Sequence, residues 1–288
     1  MRNYHDAWYT LFDERLDTKK FLSHYTTIEN AVKILYGNSL KFSKISRAND
    51  TLESKPRIHI DSDQELFRNA IKYFREMNNE CLQILCFTMD LDKKCTSEFS
   101  NELDDKERMT NFAGRGYSLP RMWAQYAANN RGICLVFDKQ GLINLIKNSL
   151  RSFLLVYQPI SYYNRFSTYK MSDDSIIQFL DRINKTKSSE QRTLWNIDFL
   201  KDNIDFVIYN YFSKLDDWIG ENEFRFVAYG QDDYFVKYID KALVGIVMGE
   251  NIEPANERII KSFCPETCEL RKILFSYAGC QLHSVKEG

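Results

Sequence analysis

The sequence predicts an α+β fold built on a mixed, mainly antiparallel sheet. Short runs rich in β-branched and aromatic residues recur between turn formers, most clearly at Gly132-Ile133-Cys134-Leu135-Val136-Phe137. Helical periods fall among these runs without the regular alternation of a βαβ series. A load of 20 Phe and 17 Tyr suits a sheet-rich core and stacking surfaces alike, without choosing between them.

Each element follows from its local pattern. Residues 1–20 read as a polar, partly helical lead-in, and residues 21–288 as a single domain. Phe21 to Thr26 is a short strand. Ile28, Val32 and Leu35 form an apolar stripe on a helix to Tyr36, with Gly37 placed to end it. Leu40 to Ser43 is a second strand, and Ser46 to Pro56 carries turn formers without a period, as a loop does. Leu66, Ala70, Ile71 and Phe74 mark a helix over Asp63 to Met77, followed by an apolar strand at Leu82 to Met89 and a polar stretch to about Asn111. A helix over Leu119 to Ala128 starts near Pro120, where the first turn tolerates proline. After the strand at 132–137, Leu142 to Leu150 is helical and Phe153 to Ile160 extended. A helical insertion spans about 172–213, broken near Asn184 to Ser189. Strands follow at Phe224 to Tyr229, Tyr234 to Tyr238 and Ala242 to Met248, then a helix after Pro254 and strands at Ile273 to Phe275 and Gln281 to Val285.

Composition narrows the function classes. With 288 residues and 44% hydrophobic content the chain can bury a substantial core. Its 39 basic and 40 acidic side chains nearly cancel, so no global electrostatic footprint for nucleic acid or membrane follows, and a local basic groove stays open. Acidic residues interrupt the first 20 positions and no run of 18 apolar residues occurs, which predicts a soluble, cytoplasmic protein without membrane contact. Seven scattered cysteines fit reduced thiols. Cys264, Cys268 and Cys280 lack nearby histidines other than His283 and make a poor zinc signature, so no metal is expected. Neither a Walker loop, nor a dinucleotide fingerprint, nor a nucleophile elbow is present.

Four segments carry chemistry. In Trp218-Ile219-Gly220-Glu221-Asn222-Glu223-Phe224-Arg225, an extended strand puts Glu221, Glu223 and Arg225 on one face, which needs open solvent or a lined cleft. His24, flanked by Tyr25 and Thr26, is either a structural histidine or a neutral donor to a sugar hydroxyl. Tyr25 is either core or a flat platform under an aromatic ligand. The loop Arg47-Ala48-Asn49-Asp50-Thr51-Leu52-Glu53 either satisfies its own turns or offers Arg47 to a phosphate, positioned by Asp50 or Glu53. On the 119–128 helix, Met122 and Tyr126 share a face beside Trp123, with Arg121 and Gln125 adjoining. They anchor the core or wall a nucleotide pocket.

Ser23-His24-Tyr25-Thr26, with Asn30 to Leu35, Gly37 and Leu40, resembles the opening of ADP-ribosyltransferase-like proteins. More closely, Asn49-Asp50 with Glu53, Cys86-Phe87-Thr88, Met122-Trp123 with Tyr126, Gly132 to Leu135 with Phe137, Val156-Tyr157, and Trp218 with Glu221, Glu223 and Arg225 resemble the bacterial family grouped as domain of unknown function 2971. The resemblance implies a split, mainly antiparallel sheet with flanking and inserted helices, with NAD as substrate. It also implies transfer of ADP-ribose to a protein or nucleic-acid acceptor, as in a toxin or anti-phage effector. It makes Glu223 the catalytic carboxylate and Glu221 the outer member of a Glu-x-Glu pair, orienting or deprotonating the acceptor. His24 and Thr26 would hold the adenosine-side ribose, with Tyr25 or Tyr126 stacked on nicotinamide. Arg225 either belongs to the cofactor-binding set or is a structural counter-ion holding the carboxylates on the strand, and Arg47 stands as the candidate where the family pattern has an early arginine. The alternatives are an NAD hydrolase and a nucleotide-binding module without turnover. If the resemblance holds, His24 and Glu223 converge on one cleft, with Glu221, Tyr25 and the Arg121 to Tyr126 helix beside it.

Overall fold

The computed structural model describes residues 21–59, 64–91, 114–149, 154–186, 188–230, 233–276 and 279–285. The expected lead-in at 1–20 and most of the polar stretch before residue 111 lie outside them. Strand β1 (Phe21–Thr26) leads to α1 (Ile28–Tyr36), β2 (Ser39–Lys41), β3 (Ser43–Lys44), a 3-10 turn at Ile45–Arg47, β4 (Ile58–His59), α2 (Gln64–Cys81) and β5 (Leu82–Met89). Next come α3 (Pro120–Tyr126), β6 (Ile133–Asp138), α4 (Lys139–Ser149), β7 (Leu154–Pro159), β8 (Ser161–Tyr163) and β9 (Tyr169–Lys170). Helices α5 (Asp173–Lys185), α6 (Ser189–Asp202) and α7 (Ile204–Tyr211) precede β10 (Ser213–Leu215) and a 3-10 segment at Asp216–Glu221. The chain closes with β11 (Glu223–Tyr229), β12 (Phe235–Lys237), β13 (Leu243–Met248), α8 (Pro254–Phe263), β14 (Glu269–Ser276) and β15 (Gly279–Ser284).

Nine strands form an open sheet in the order β15-β14-β13-β6-β1-β5-β11-β7, with β3 also on β5. Only β13–β14 is a parallel pair within it. Alternation along the strands feeds two faces. In β6, Ile133, Leu135 and Phe137 enter one cluster with Leu22, Leu85, Phe87, Phe224 and Phe226, covered by α1, α4 and α8. The opposite face carries two separate clusters. One gathers Ile84, Val227 and Tyr229 under α2, α5, α6 and α7. The other gathers Phe21, Tyr25, Cys134, Val136 and Val247 against Met122 and Trp123 of α3. The polar groups described below lie where those two clusters part.

The expected helical insertion is three helices, α5 to α7. Ser172 and Ser188 cap the first two by accepting from Ser175 N and Gln191 N. Helix α2 runs past the expected end at Met77 because Asn78 and Cys81 are buried in continuation of Phe74. The expected strand at 40–43 is split into β2, which pairs with β12, and β3, which pairs with β5. Two- and three-residue ladders, β4–β9 and β8–β10, were not legible as strands because they exist only through parallel pairing with distant chain.

Candidate functional site

The centre of the sheet holds an opening. Strand β1 pairs with β5 only at Leu22↔Met89 and Ser23↔Thr88, and β3 takes the same edge at Ser43↔Ile84 and Lys44↔Gln83. Residues 85–87 between these contacts have no strand partner on that side. The Cys86 carbonyl instead meets His24 Nδ1 at 3.1 Å. A cavity of about 680 Å³ occupies the opening, lined from both faces of the sheet. That volume lies within the range of small-molecule sites.

At one end, five charged side chains from four segments interlock. Lys214 of β10 places Nζ 2.6 Å from Glu221 Oε2, 2.8 Å from Glu223 Oε2 and 3.1 Å from Glu53 Oε1. Arg225 donates Nε to Glu223 Oε1 at 2.6 Å and Nη2 to Glu223 Oε2 at 3.0 Å, bonds Glu53 through Nη2, and gives Nη1 to Tyr211 O at 3.0 Å. Tyr126 donates its hydroxyl to Glu221 Oε1. The parallel β8–β10 ladder sets Tyr162 beside Lys214, and the Glu223 amide donates to the Tyr162 hydroxyl at 3.0 Å. All five charged groups are buried, with Glu223 4% and Arg225 1% exposed. Three carboxylates against two cations leave this set one negative charge in excess.

Burial would raise the Glu223 carboxyl, but Arg225 and then Lys214 overcome it and hold the group down at about 2. Burial likewise opposes the charge on Lys214, and Glu223, Glu53 and Glu221 reverse it, lifting the ammonium above the ordinary lysine range. The Cys86 thiol is pushed up by burial and by Glu223, which makes it a poor nucleophile. Burial lowers His24, so its ring is neutral at pH 7. A carbonyl only accepts, so Nδ1 carries the proton and Nε2 is left as an acceptor. Nε2 therefore has no proton to donate, against the donor role expected of His24.

The expectation that Glu221, Glu223 and Arg225 share one strand face is corrected in part. Glu223 and Arg225 do so, two residues apart on β11. Glu221 instead ends the 3-10 segment, and Asn222 turns through φ 43° and ψ 53°. Asn222 fixes that turn by donating Nδ2 to Met89 O at 2.9 Å and Asp90 O at 3.0 Å. Glu221 rejoins Glu223 through their shared Lys214.

His24, Tyr25, Thr26, Arg47, Asn49, Glu53, Tyr126, Glu221, Glu223 and Arg225 all line the cavity. Three expected members do not. Trp123 is fully buried, donates Nε1 to Tyr117 O at 2.8 Å and meets Tyr25 edge-on with ring centroids 5.2 Å apart. Arg121 lies at the surface, its guanidinium 5.8 Å from the Trp218 ring centroid and bonded to Asp217 O. Asp50 is buried and turned to its own loop, accepting from Leu52 N at 2.8 Å. Tyr25 is committed too: its hydroxyl donates to Gly116 O at 2.6 Å, so its ring belongs to the core more than to a platform. Sequence reasoning missed Lys214, Tyr162, Lys33, Lys41 and Phe235. A lone lysine between Phe212 and Leu215, shortly before two glutamates, was the available signal for the first.

Fold and site together define a mixed α+β protein whose open sheet is split over a cavity with a buried carboxylate–ammonium–guanidinium cluster. Over residues 122–226 the chain matches the family described as protein of unknown function, DUF2971. That segment takes in Tyr126, Lys214, Glu221, Glu223 and Arg225 and leaves His24, Arg47 and Glu53 outside. No curated protein and no solved structure matches the chain. Among the described residues no group of His, Cys, Asp and Glu is arranged to hold a metal ion, the six cysteines are unbridged, and no helix is long and apolar enough to cross a membrane.

Proposed function

We propose that the chain binds NAD in this cavity and transfers its ADP-ribose to a macromolecular acceptor. The observation that carries the reading is that β1 and β11, far apart in sequence, put His24 and Glu223 into the walls of one cavity opened by a split sheet. The C1′–N bond of the nicotinamide ribose breaks with its electron pair going to the pyridinium nitrogen. The ribosyl centre left behind is oxocarbenium-like. Glu223, held ionised, stabilises that charge, and the excess negative charge of the cluster favours a cationic leaving ring beforehand. An acceptor nucleophile then forms the new C1′ bond, with Glu221 oriented by Tyr126 and Lys214 to take its proton. The Nε2 of His24 accepts from a ribose hydroxyl.

A second reading has its own support. Lys214, Arg225 and Tyr126 already engage the oxygens of Glu221 and Glu223, a closed network that also suits a nucleotide-binding module without turnover. Purified protein with adenylate-labelled NAD and bacterial lysate separates the readings. Transfer gives labelled macromolecule and free nicotinamide, whereas hydrolysis gives free ADP-ribose. Neither product in the presence of measured NAD binding overturns turnover and leaves the binding module.

A further inference from the structure

The cavity carries two charged groups of opposite balance: the glutamates with Lys214 and Arg225 keep one negative charge in excess, and a second group is cationic. The first holds Glu53, Glu221 and Glu223, while the part contributed by α1, β2 and the loop after β3 carries Lys33, Lys41 and Arg47. Among the described residues the two lysines form ion pairs with exposed carboxylates, Glu29 and Asp233, and such surface pairs yield readily to a competing anion. Beside them stands Phe235 on β12, 46% exposed, with Lys41 Nζ 5.4 Å from its ring centroid. Among the described residues, Phe235 is the exposed large apolar side chain that lines the cavity; the others lie elsewhere on the surface. The β2–β12 ladder, with Phe235 opposite Lys41, holds this ring and this ammonium side by side.

We infer that Phe235, Lys41, Lys33 and Arg47 form a subsite for the adenylate half of the dinucleotide. The adenine ring stacks on Phe235, and the phosphates lie over the three cations. This inference rests on the NAD reading above and extends it. It assigns the two ends of the ligand to the two ends of the cavity, the cationic nicotinamide ring to the glutamates and the anionic diphosphate to the mouth.

The test compares NAD with nicotinamide mononucleotide, which lacks the adenylate, by calorimetry on wild type, Phe235→Ala and Phe235→Trp. Phe235→Ala should weaken NAD about tenfold, the loss expected for one base–aromatic stack, and leave the mononucleotide unchanged. Phe235→Trp should keep NAD affinity, because a larger ring replaces the platform. NAD affinity unchanged in Phe235→Ala overturns the subsite while NAD binding by the wild type still stands. Equal losses for both ligands overturn it as well, since Phe235 would then shape the cavity as a whole. Wild type that binds neither ligand overturns the NAD reading and this inference together.

Discussion

Lys214→Met tests whether the cluster works as an electrostatic unit. The substitution keeps most of the side-chain volume and removes the ammonium that lies 2.6, 2.8 and 3.1 Å from three glutamates. Three buried carboxylates then share one guanidinium. Removing one partner of a buried ionic network costs about 3–5 kcal/mol, because the remaining charges stay desolvated. The sign of the pH dependence discriminates more sharply than the size. In the wild type Glu223 titrates at about 2 against an ordinary 4.5, so its contribution, roughly 3 kcal/mol, is present above pH 4.5 and lost as pH falls through 2. Across pH 5–8 it is therefore flat. In the variant the cluster retains a proton on folding, so the folded state binds more protons than the unfolded chain. Its stability must fall as pH rises above the same ordinary carboxylate value of 4.5. Urea unfolding followed by tryptophan fluorescence at steps from pH 5 to 8 should show the gap from wild type widening with pH. A gap below about 1 kcal/mol at pH 7.5, or one constant from pH 5 to 8, refutes the argument, since the interaction would then be that of an exposed pair.

Four further outcomes are expected. Glu223→Gln should lower nicotinamide release at least about 100-fold while NAD still binds, measured by single-turnover kinetics beside a near-ultraviolet dichroism check of packing. The depressed His24 pKa means that the unfolded chain takes up a proton before the folded one does. Stability contributed by the neutral ring is full above 6.5 and lost as pH falls below it, and His24→Asn should abolish this acid-side loss in urea titrations. Asn222→Ala removes two side-chain hydrogen bonds and a residue suited to φ 43°, for a loss of roughly 2–3 kcal/mol, whereas Asn222→Gly should lose only the hydrogen-bond part. Gly132→Ala would bring a Cβ within 2.2 Å of the Thr26 carbonyl and 3.0 Å of Ala127 Cα; a cost of at least about 2 kcal/mol should appear as a lower unfolding midpoint.

The parts of this molecule that a sequence announces are those governed by local period. The central strand β6 announces itself through a run whose alternate residues fill opposite cores, and the helices of the insertion through apolar spacing and serine caps. Within the site, the i, i+2 relation of Glu223 and Arg225 was equally local, and so it was legible. Lys214 was not, because its three partners come from a loop near residue 53, from the end of a 3-10 segment and from β11. Nor was the turn at Asn222, since an asparagine in αL cannot be told from one in a strand by type alone. Trp123 and Arg121 sit beside Tyr126 in sequence, yet a short helix sends the three side chains to the core, the surface and the cavity respectively.

The two-pair contact between β1 and β5 has a mechanical consequence. The neighbouring junctions are far longer, with six pairs for β1–β6 and seven for β11–β5. The main-chain seam is therefore the weakest junction in the middle of the sheet, and on one face each half has its own apolar cluster. On the other face one cluster, with Leu22, Leu135 and Phe137 against Leu85, Phe87 and Phe226, bridges the seam, so local opening is expected to start along the main-chain junction while the halves stay joined. A molecule bridging the glutamates on one half and His24 on the other would act as a clasp across the seam. Amide exchange along the facing edges of β1 and β5 should be fast in the free protein and slow once the clasp is in place.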